Sequence, residues 1–181
     1  MLLGAFDGEL CLCDWLDNPH RKRNDSRVCQ LLSAEFQVLE ATSLCHHVCA
    51  ASSEVSSDFS VLVRARQELE EYFAGSRTSF DIPLCLVGTD FQKAVWKMLL
   101  EIPYGHVVSY MNIAERLGKA KGVRAVSQAI GANALSIFIP CHRVLGSNGS
   151  LTGYAGGLEA KRCLLELEKG HKGAQKNINV W

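Results

Sequence analysis

Several things are missing from this 181-residue chain, and each absence removes a class of protein. No apolar run approaches the roughly 18 residues that a membrane span requires. The opening stretch, Met1 to Asp7, has neither a basic n-region nor a long apolar core, so no secretory signal is expected. Low-complexity tracts are absent. The eight cysteines contain no C-x-x-C pair, and nothing marks an extracellular chain. They read as reduced thiols of a cytoplasmic protein and not as a disulfide framework. Formal net charge is zero, which argues against a strongly basic nucleic-acid coat. With 48% hydrophobic and 21% charged residues, the composition is that of an ordinary globular protein, long enough for one large domain or two small ones.

The balanced total hides a local bias. Between Tyr104 and Ser150 stand Arg116, Lys119, Lys121, Arg124 and Arg143, against the single acid Glu115. A positive field is therefore expected over that part of the chain.

Patterning divides the chain near Gly88. Before it, "GELCLCDW" alternates as a half-buried strand, and Leu2-Leu3-Gly4 reads as the end of another strand that begins earlier. Asn18-Pro19 and Arg21-Lys22-Arg23 predict a turn and a solvated face, and Ser43 to Ser60 a serine-rich loop. Val61, Leu62, Ala65, Leu69, Tyr72 and Phe73 fall at helical spacing, with Gly75 as the stop. "SFDIPLCL" predicts an edge strand, because Pro83 cannot donate to a ladder. After Gly88, Thr89 and Gln92 form a capping box for a helix that ends before Pro103. Ser109 is placed to cap a short helix from Tyr110 to Leu117, closed by Gly118, and another runs from Val123 to about Ala132. These divisions predict domains at 1–87 and 88–170 and a tail at 171–181.

Two short helices joined through "GKAKG" fit a helix-turn-helix as well as an αα-hairpin inside a core. The second offers one Arg, one Gln and small residues. That set suits close approach to a nucleic-acid backbone or minor groove better than base reading in the major groove.

The stretch "SIFIPCHRV" brings an apolar, β-branched run up to Pro140 and then sets Cys141, His142 and Arg143 side by side. A buried cysteine is ordinarily a small hydrophobe. A reactive one needs a base or positive charge beside it. In a regular strand adjacent side chains point to opposite faces, so Cys141 and His142 cooperate only if the chain turns after Pro140 or a water bridges them. A cysteine phosphatase would need an arginine about six residues beyond the nucleophile, where Ser147 stands. A cysteine protease would need its histidine from elsewhere in the chain.

Taken together, "IPYGHVVSYMNIAERLG", "VRAVSQAIGANALSIFIPCHRV" and "GSLTGYAGGLEAKRCLLELE" resemble the O6-alkylguanine-DNA alkyltransferases, or methylated-DNA–protein-cysteine methyltransferases. The match runs almost continuously from Gly88 to Glu168 and is loose before it. The resemblance implies an α+β protein: a small N-terminal α/β domain with a ribonuclease H-like sheet, then a mostly helical domain with a winged-helix-like helix-turn-helix. It implies single-turnover transfer of an alkyl group from guanine O6 to Cys141, with His142 as base through a water and Glu168 holding the imidazole. Glu168 stands at a helix end, where the macrodipole disfavours a carboxylate by several tenths of a kcal/mol, which a partner such as His142 would offset.

By the same resemblance Arg124 fills the stack vacated by a flipped nucleotide, Tyr110 donates to the base and helps turn its phosphate, and Asn133 ties the second helix to the PCHR segment. Tyr154, Ala155 and Gly156 line the alkyl pocket, and Val144 and Lys161 complete the substrate-facing set. Many relatives carry serine where Ala155 stands, so any contact to O6 there comes from the backbone N–H. The implied partner is double-stranded alkylated DNA, bound by a monomer without cofactor or membrane. A strand reading like "SPLG" is expected ahead of Leu2. Some members bind structural zinc, but Cys11, Cys13, His20 and "CHHVC" at 45–49 do not match those positions, so no metal is expected. Two rivals are a non-catalytic lesion binder, whose relatives carry tryptophan in place of Cys141, and a helix-turn-helix regulator without chemistry.

Overall fold

The computed structural model describes residues 1–17, 21–32, 37–40 and 57–170, a mixture of helices with little sheet. The chain starts as a hairpin. Strands β1 (Leu2–Phe6) and β2 (Glu9–Asp14) are joined by Asp7-Gly8, whose φ values of 52° and 76° match the twist of a tight hairpin turn. Strand β3 (Gln37–Glu40) pairs antiparallel on the other side of β1, giving the order β2-β1-β3. Leu2-Leu3-Gly4, read as part of a strand preceding "GELCLCDW", lies in β1, between β2 and β3.

Helix α1 (Arg21–Leu32) begins where a turn and solvated face were expected. Its apolar residues are too few for a clear stripe. Packing supplies the missing drive: Val28 is fully buried against Cys11, Leu12, Val87 and Ala134. Helix α2 (Ser57–Phe73) starts inside the expected serine-rich loop, and Asp58 in its first turn accepts from the Gly8 amide at 2.6 Å. The rest of that loop, with the "CHHVC" segment, Pro19 and His20, lies outside the described residues. As expected, the inward face of α2 carries Val61, Leu62, Ala65, Leu69 and Tyr72.

The expected edge strand around Pro83 forms only one bridge. Pro83 and Cys85 bracket Leu10 with two backbone hydrogen bonds of 2.9 Å, and the pairing stops there. Helix α3 (Asp90–Leu100) has the Thr89–Gln92 capping box in both directions. Strand β4 (Val108–Ser109) leads into α4 (Tyr110–Arg116), capped by Ser109, and α5 (Val123–Gly131) follows after a 3₁₀ turn. Trp96 of α3 donates to the Ala129 carbonyl at 2.8 Å and so fixes α5 against it. β4 pairs in parallel with β5 (Val144–Leu145), and α6 (Gly157–Gly170) closes the described chain. One buried cluster runs from Leu3 in β1 to Leu164 in α6. Among the described residues no helix is long and apolar enough to cross a membrane.

Candidate active site

The apolar run before Cys141 is not the strand its β-branched residues led one to expect. Ile137 sits at φ 73°, inside a three-residue turn closed by the Phe138 amide on the Ser136 carbonyl at 3.0 Å. For a β-branched residue this is a strained conformation, sustained by what surrounds it. A second three-residue turn, centred on Pro140 at φ −80° and ψ 60°, brings the Cys141 amide to the Ile139 carbonyl at 2.8 Å. The segment is held from both ends. Asn133 accepts from the Leu135 amide at 2.9 Å and donates to the Ile139 carbonyl at 3.1 Å. Cys13 of β2 exchanges backbone hydrogen bonds with Ala134 and Ser136. The chain then makes a single 3₁₀ turn over Cys141–Arg143, which removes the strand objection to cooperation between neighbours.

Cys141 is 7% exposed, and its sulfur receives the Asn133 Nδ2 donor at 3.3 Å. Burial pushes the thiol pKa up, while the Asn133 amide and the positive charge of Lys161 pull against that rise. His142 is wholly buried, and burial lowers its pKa against the opposing pull of Glu168. Burial thus favours the neutral form of both the thiol and the imidazole.

The imidazole is oriented by Glu168, whose Oε1 lies 2.8 Å from His142 Nε2. Burial alone would raise the Glu168 pKa, but hydrogen bonds from His142 and Arg143 outweigh it and hold the group down at about 2. An ionised carboxylate only accepts, so Nε2 carries the imidazole proton and Nδ1 is left as the lone-pair nitrogen. That Nδ1 is buried and has no hydrogen-bond partner. A base with an unoccupied acceptor nitrogen, held by a fixed anion, is what proton removal from a nearby thiol requires.

Glu168 is not the solvated terminal residue that its place near the end of α6 would allow. It is fully buried. Tyr72 donates to Oε1 at 2.7 Å, and the Gly105 amide to Oε2 at 2.8 Å. Arg143 brings Nε to both oxygens, at 3.2 and 3.0 Å, and a terminal nitrogen to Oε1 at 2.9 Å. Its other arm reaches the Ile102 carbonyl at 2.6 Å. Arg143 is thus a buried structural cation, committed to Glu168 and the Ile102 carbonyl. Desolvating such a pair costs several kcal/mol per ion, and this number of donors is how the cost is offset.

The remaining expected residues fall into two groups. Tyr154, Val144 and Lys161 join the thiol and imidazole. The Tyr154 ring meets His142 edge-on at 6.4 Å, and Lys161, buried, donates to the Val144 carbonyl at 2.6 Å and the Thr152 carbonyl at 2.8 Å. Burial lowers the Lys161 pKa to about 8. Tyr110 opens α4 with its hydroxyl 3.5 Å from the Thr152 carbonyl, while Ala155 and Gly156 precede α6 half-buried. Arg124 stands apart, exposed on α5. Tyr72, the Gly105 amide and Trp15 were not foreseen. Trp15 donates to the Tyr154 hydroxyl at 3.2 Å, and its indole leaves no room for a side chain at Gly156. The signal for Tyr72 was present: a tyrosine on an inward helical stripe must satisfy its hydroxyl somewhere.

Among the described residues no group of three or more His, Cys, Asp and Glu is arranged to hold a metal ion. Cys11 gives its S–H to the Gly4 carbonyl at 3.3 Å, and burial pushes its pKa up to about 12, the opposite of what a thiolate ligand needs. The other candidate ligands, His20 and the cysteines and histidines of the segment 45–49, lie outside the described residues.

A mixed fold of small sheet and packed helices thus carries a buried histidine–glutamate pair, next in sequence to a buried cysteine that follows a strained turn. The chain belongs to the methylated-DNA–protein-cysteine methyltransferase family. Residues 90–170 match the family described as "6-O-methylguanine DNA methyltransferase, DNA binding domain". It is 54% identical over 114 residues to the methylated-DNA–protein-cysteine methyltransferase of Mycobacterium tuberculosis, covering 63% of this chain and 69% of that protein. It is 53% identical over 107 residues to the one of Methanosarcina barkeri, covering 59% and 68%. Among solved structures, the Mycobacterium tuberculosis OGT in complex with DNA superimposes with a TM-score of 0.67 at 39% identity, covering 94% of this chain and 87% of that one.

Proposed function

We propose that this protein repairs alkylated duplex DNA by moving the alkyl group from guanine O6 onto the sulfur of Cys141, once per molecule. The observation that carries this reading is the buried, unpartnered Nδ1 of His142, aimed by Glu168 and next in sequence to a thiol that accepts a hydrogen bond from Asn133. In the reaction the S–C bond forms as the C–O6 bond breaks. The thiol proton passes through a water to His142 Nδ1, and the departing guanine is neutralised by donation from Tyr110. The imidazolium so formed is stabilised by the Glu168 carboxylate. Raising the thiol pKa by burial keeps the sulfur protonated and quiet until a substrate arrives, and the Asn133 donor and the Lys161 charge favour the developing thiolate. Since no second step removes the thioether, each molecule reacts once.

The target base lies inside a duplex and must be flipped out at a cost of a few kcal/mol. The exposed Arg124 on α5 is suited to fill the vacated stack from the minor groove, and the small residues of α5 allow the backbone to come close. In this reading α4 and α5 form the helix-turn-helix, β4 and β5 the base of a wing, and the β2-β1-β3 sheet part of a ribonuclease H-like N-terminal domain that ends near residue 87. Tyr154, Ala155, Gly156 and Val144 surround the alkyl group. The protein acts as a cytoplasmic monomer.

The test is a mass measurement. Incubation with duplex DNA containing O6-methylguanine is expected to raise the intact mass by one methyl group, located on the Cys141 peptide. No mass change at stoichiometric lesion, or a Cys141→Ser variant that still gains the group, would refute the assignment.

A further inference from the structure

We infer that Tyr72, on a helix of the N-terminal half, is a positioning residue of the transfer reaction that sets how basic His142 is. The inference rests on the reading of His142 as the base.

Tyr72 has no exposed surface, and its ring is wedged by Phe73, Phe80 and Tyr104 at centroid distances of 5.6, 5.5 and 6.0 Å. The hydroxyl therefore cannot swing away from Glu168. Its bond, at 2.7 Å, ends on Oε1, the same oxygen that receives His142 Nε2. A donor on that oxygen withdraws negative charge from the atom that stabilises the imidazolium. Tyr72 and His142 thus compete for one acceptor. With Tyr72 in place, the carboxylate orients the imidazole without holding a proton on it at neutral pH. Burial, together with the Glu168 charge, drives the phenol pKa upward, so the hydroxyl remains a donor at every working pH.

The other charged and titratable groups around this pair are few. Arg143, Tyr104 and Tyr154 face Tyr72, and Arg143, Lys161 and Tyr154 face His142, the Tyr154 phenol being held protonated by burial. Lys161, at about 8, titrates above the range in which the imidazole charges. A change in the acid limb of the rate profile therefore reports on the Glu168–His142 couple.

The sign follows. Replacing Tyr72 by Phe keeps the ring and removes the donor, which leaves more charge on Oε1 and favours imidazolium. The base is then protonated at higher pH, and the rate falls first on the acid side. Single-turnover methyl transfer from duplex O6-methylguanine would be followed by peptide mass from pH 5.5 to 9. For Tyr72→Phe the rate should drop about three- to fivefold below pH 6.5 and stay within roughly 1.5-fold of wild type above pH 8. Tyr104→Phe is the control, since it deletes a hydroxyl from the same aromatic group without touching Glu168. It should leave the shape of the profile unchanged. A Tyr72→Phe profile that superimposes on wild type, is lowered equally at all pH values, or shifts toward acid overturns the inference. If wild type itself fails to gain the methyl group, the reading of the protein as an alkyltransferase falls instead.

Discussion

Acid should dismantle this protein through one carboxylate. Glu168 is held at about 2 in the folded chain, against roughly 4.3 for an unperturbed glutamate. A folded pKa below the unfolded one contributes stability that is complete above the unfolded value and disappears as pH falls through the folded value. The difference amounts to about 3 kcal/mol, present above pH 5 and largely lost by pH 2. His142 acts in the same direction at higher pH, since burial lowers its pKa and folding then disfavours its protonation. The comparison that isolates Glu168 is Glu168→Gln. At pH 7 this variant strands the buried Arg143 guanidinium and sets an amide N–H against the Gly105 or His142 donor, a loss of about 3–5 kcal/mol. Between pH 6.5 and 5 the gap to wild type should widen slightly, because imidazolium has lost its anion. At pH 3 it should have closed by about 2 kcal/mol, on the way to about 3 kcal/mol below pH 2, as the wild-type carboxylate protonates. Urea unfolding at pH 7, 5, 4 and 3, followed by tryptophan fluorescence, measures the gap directly. A difference that stays constant from pH 5 to pH 3 would refute the assignment of Glu168 as the buried anion.

Two further outcomes follow from the same geometry. Asn133→Ala deprives the Leu135 amide and Ile139 carbonyl of buried partners and the sulfur of its donor, so it should lower stability by about 2–4 kcal/mol and slow iodoacetamide modification of Cys141 at neutral pH. Unchanged thiol reactivity in a folded Asn133→Ala protein would count against the sulfur contact. Gly156→Ala places a methyl 2.6–2.7 Å from the Trp15 indole and should cost about 1–3 kcal/mol in thermal unfolding, with Trp15→Leu in the same chain recovering part of it. A neutral Gly156→Ala would mean that the indole is not held where Tyr154 fixes it.

Much of the second half was legible because its signals are local. The capping box at Thr89, the N-cap at Ser109 and Gly118 at φ 67° are read within four residues of each helix end. The hairpin at Asp7-Gly8 carries an equally local signature, and the strand read over Leu2–Gly4 is its first arm, whereas the pairing of β1 with the distant β3 was not read. Helix α1 was missed for a different reason, as its drive to form comes from the surface it covers and not from its own periodicity. The run before Cys141 misled through composition. Ser136 to Pro140 has the residues of a strand, but Asn133 and the backbone of Cys13 bend it into two tight turns. The pairing of His142 with Glu168 came through family resemblance, while Tyr72, Gly105 and Arg143 on that carboxylate are visible only once the chain is folded.

The same carboxylate ties reactivity to the order in which the molecule is assembled. Its donors stand 96, 63, 26 and 25 positions earlier in the chain, at Tyr72, Gly105, His142 and Arg143. Contacts so distant in sequence close late, after local helices have formed. Until α6 docks, Cys141 has no oriented base beside it and behaves as an ordinary apolar side chain. The thiol therefore acquires its chemistry only when folding is finished. A chain still emerging from the ribosome or trapped as an intermediate, which could otherwise exhaust its one reaction on a stray electrophile, holds that reaction in reserve.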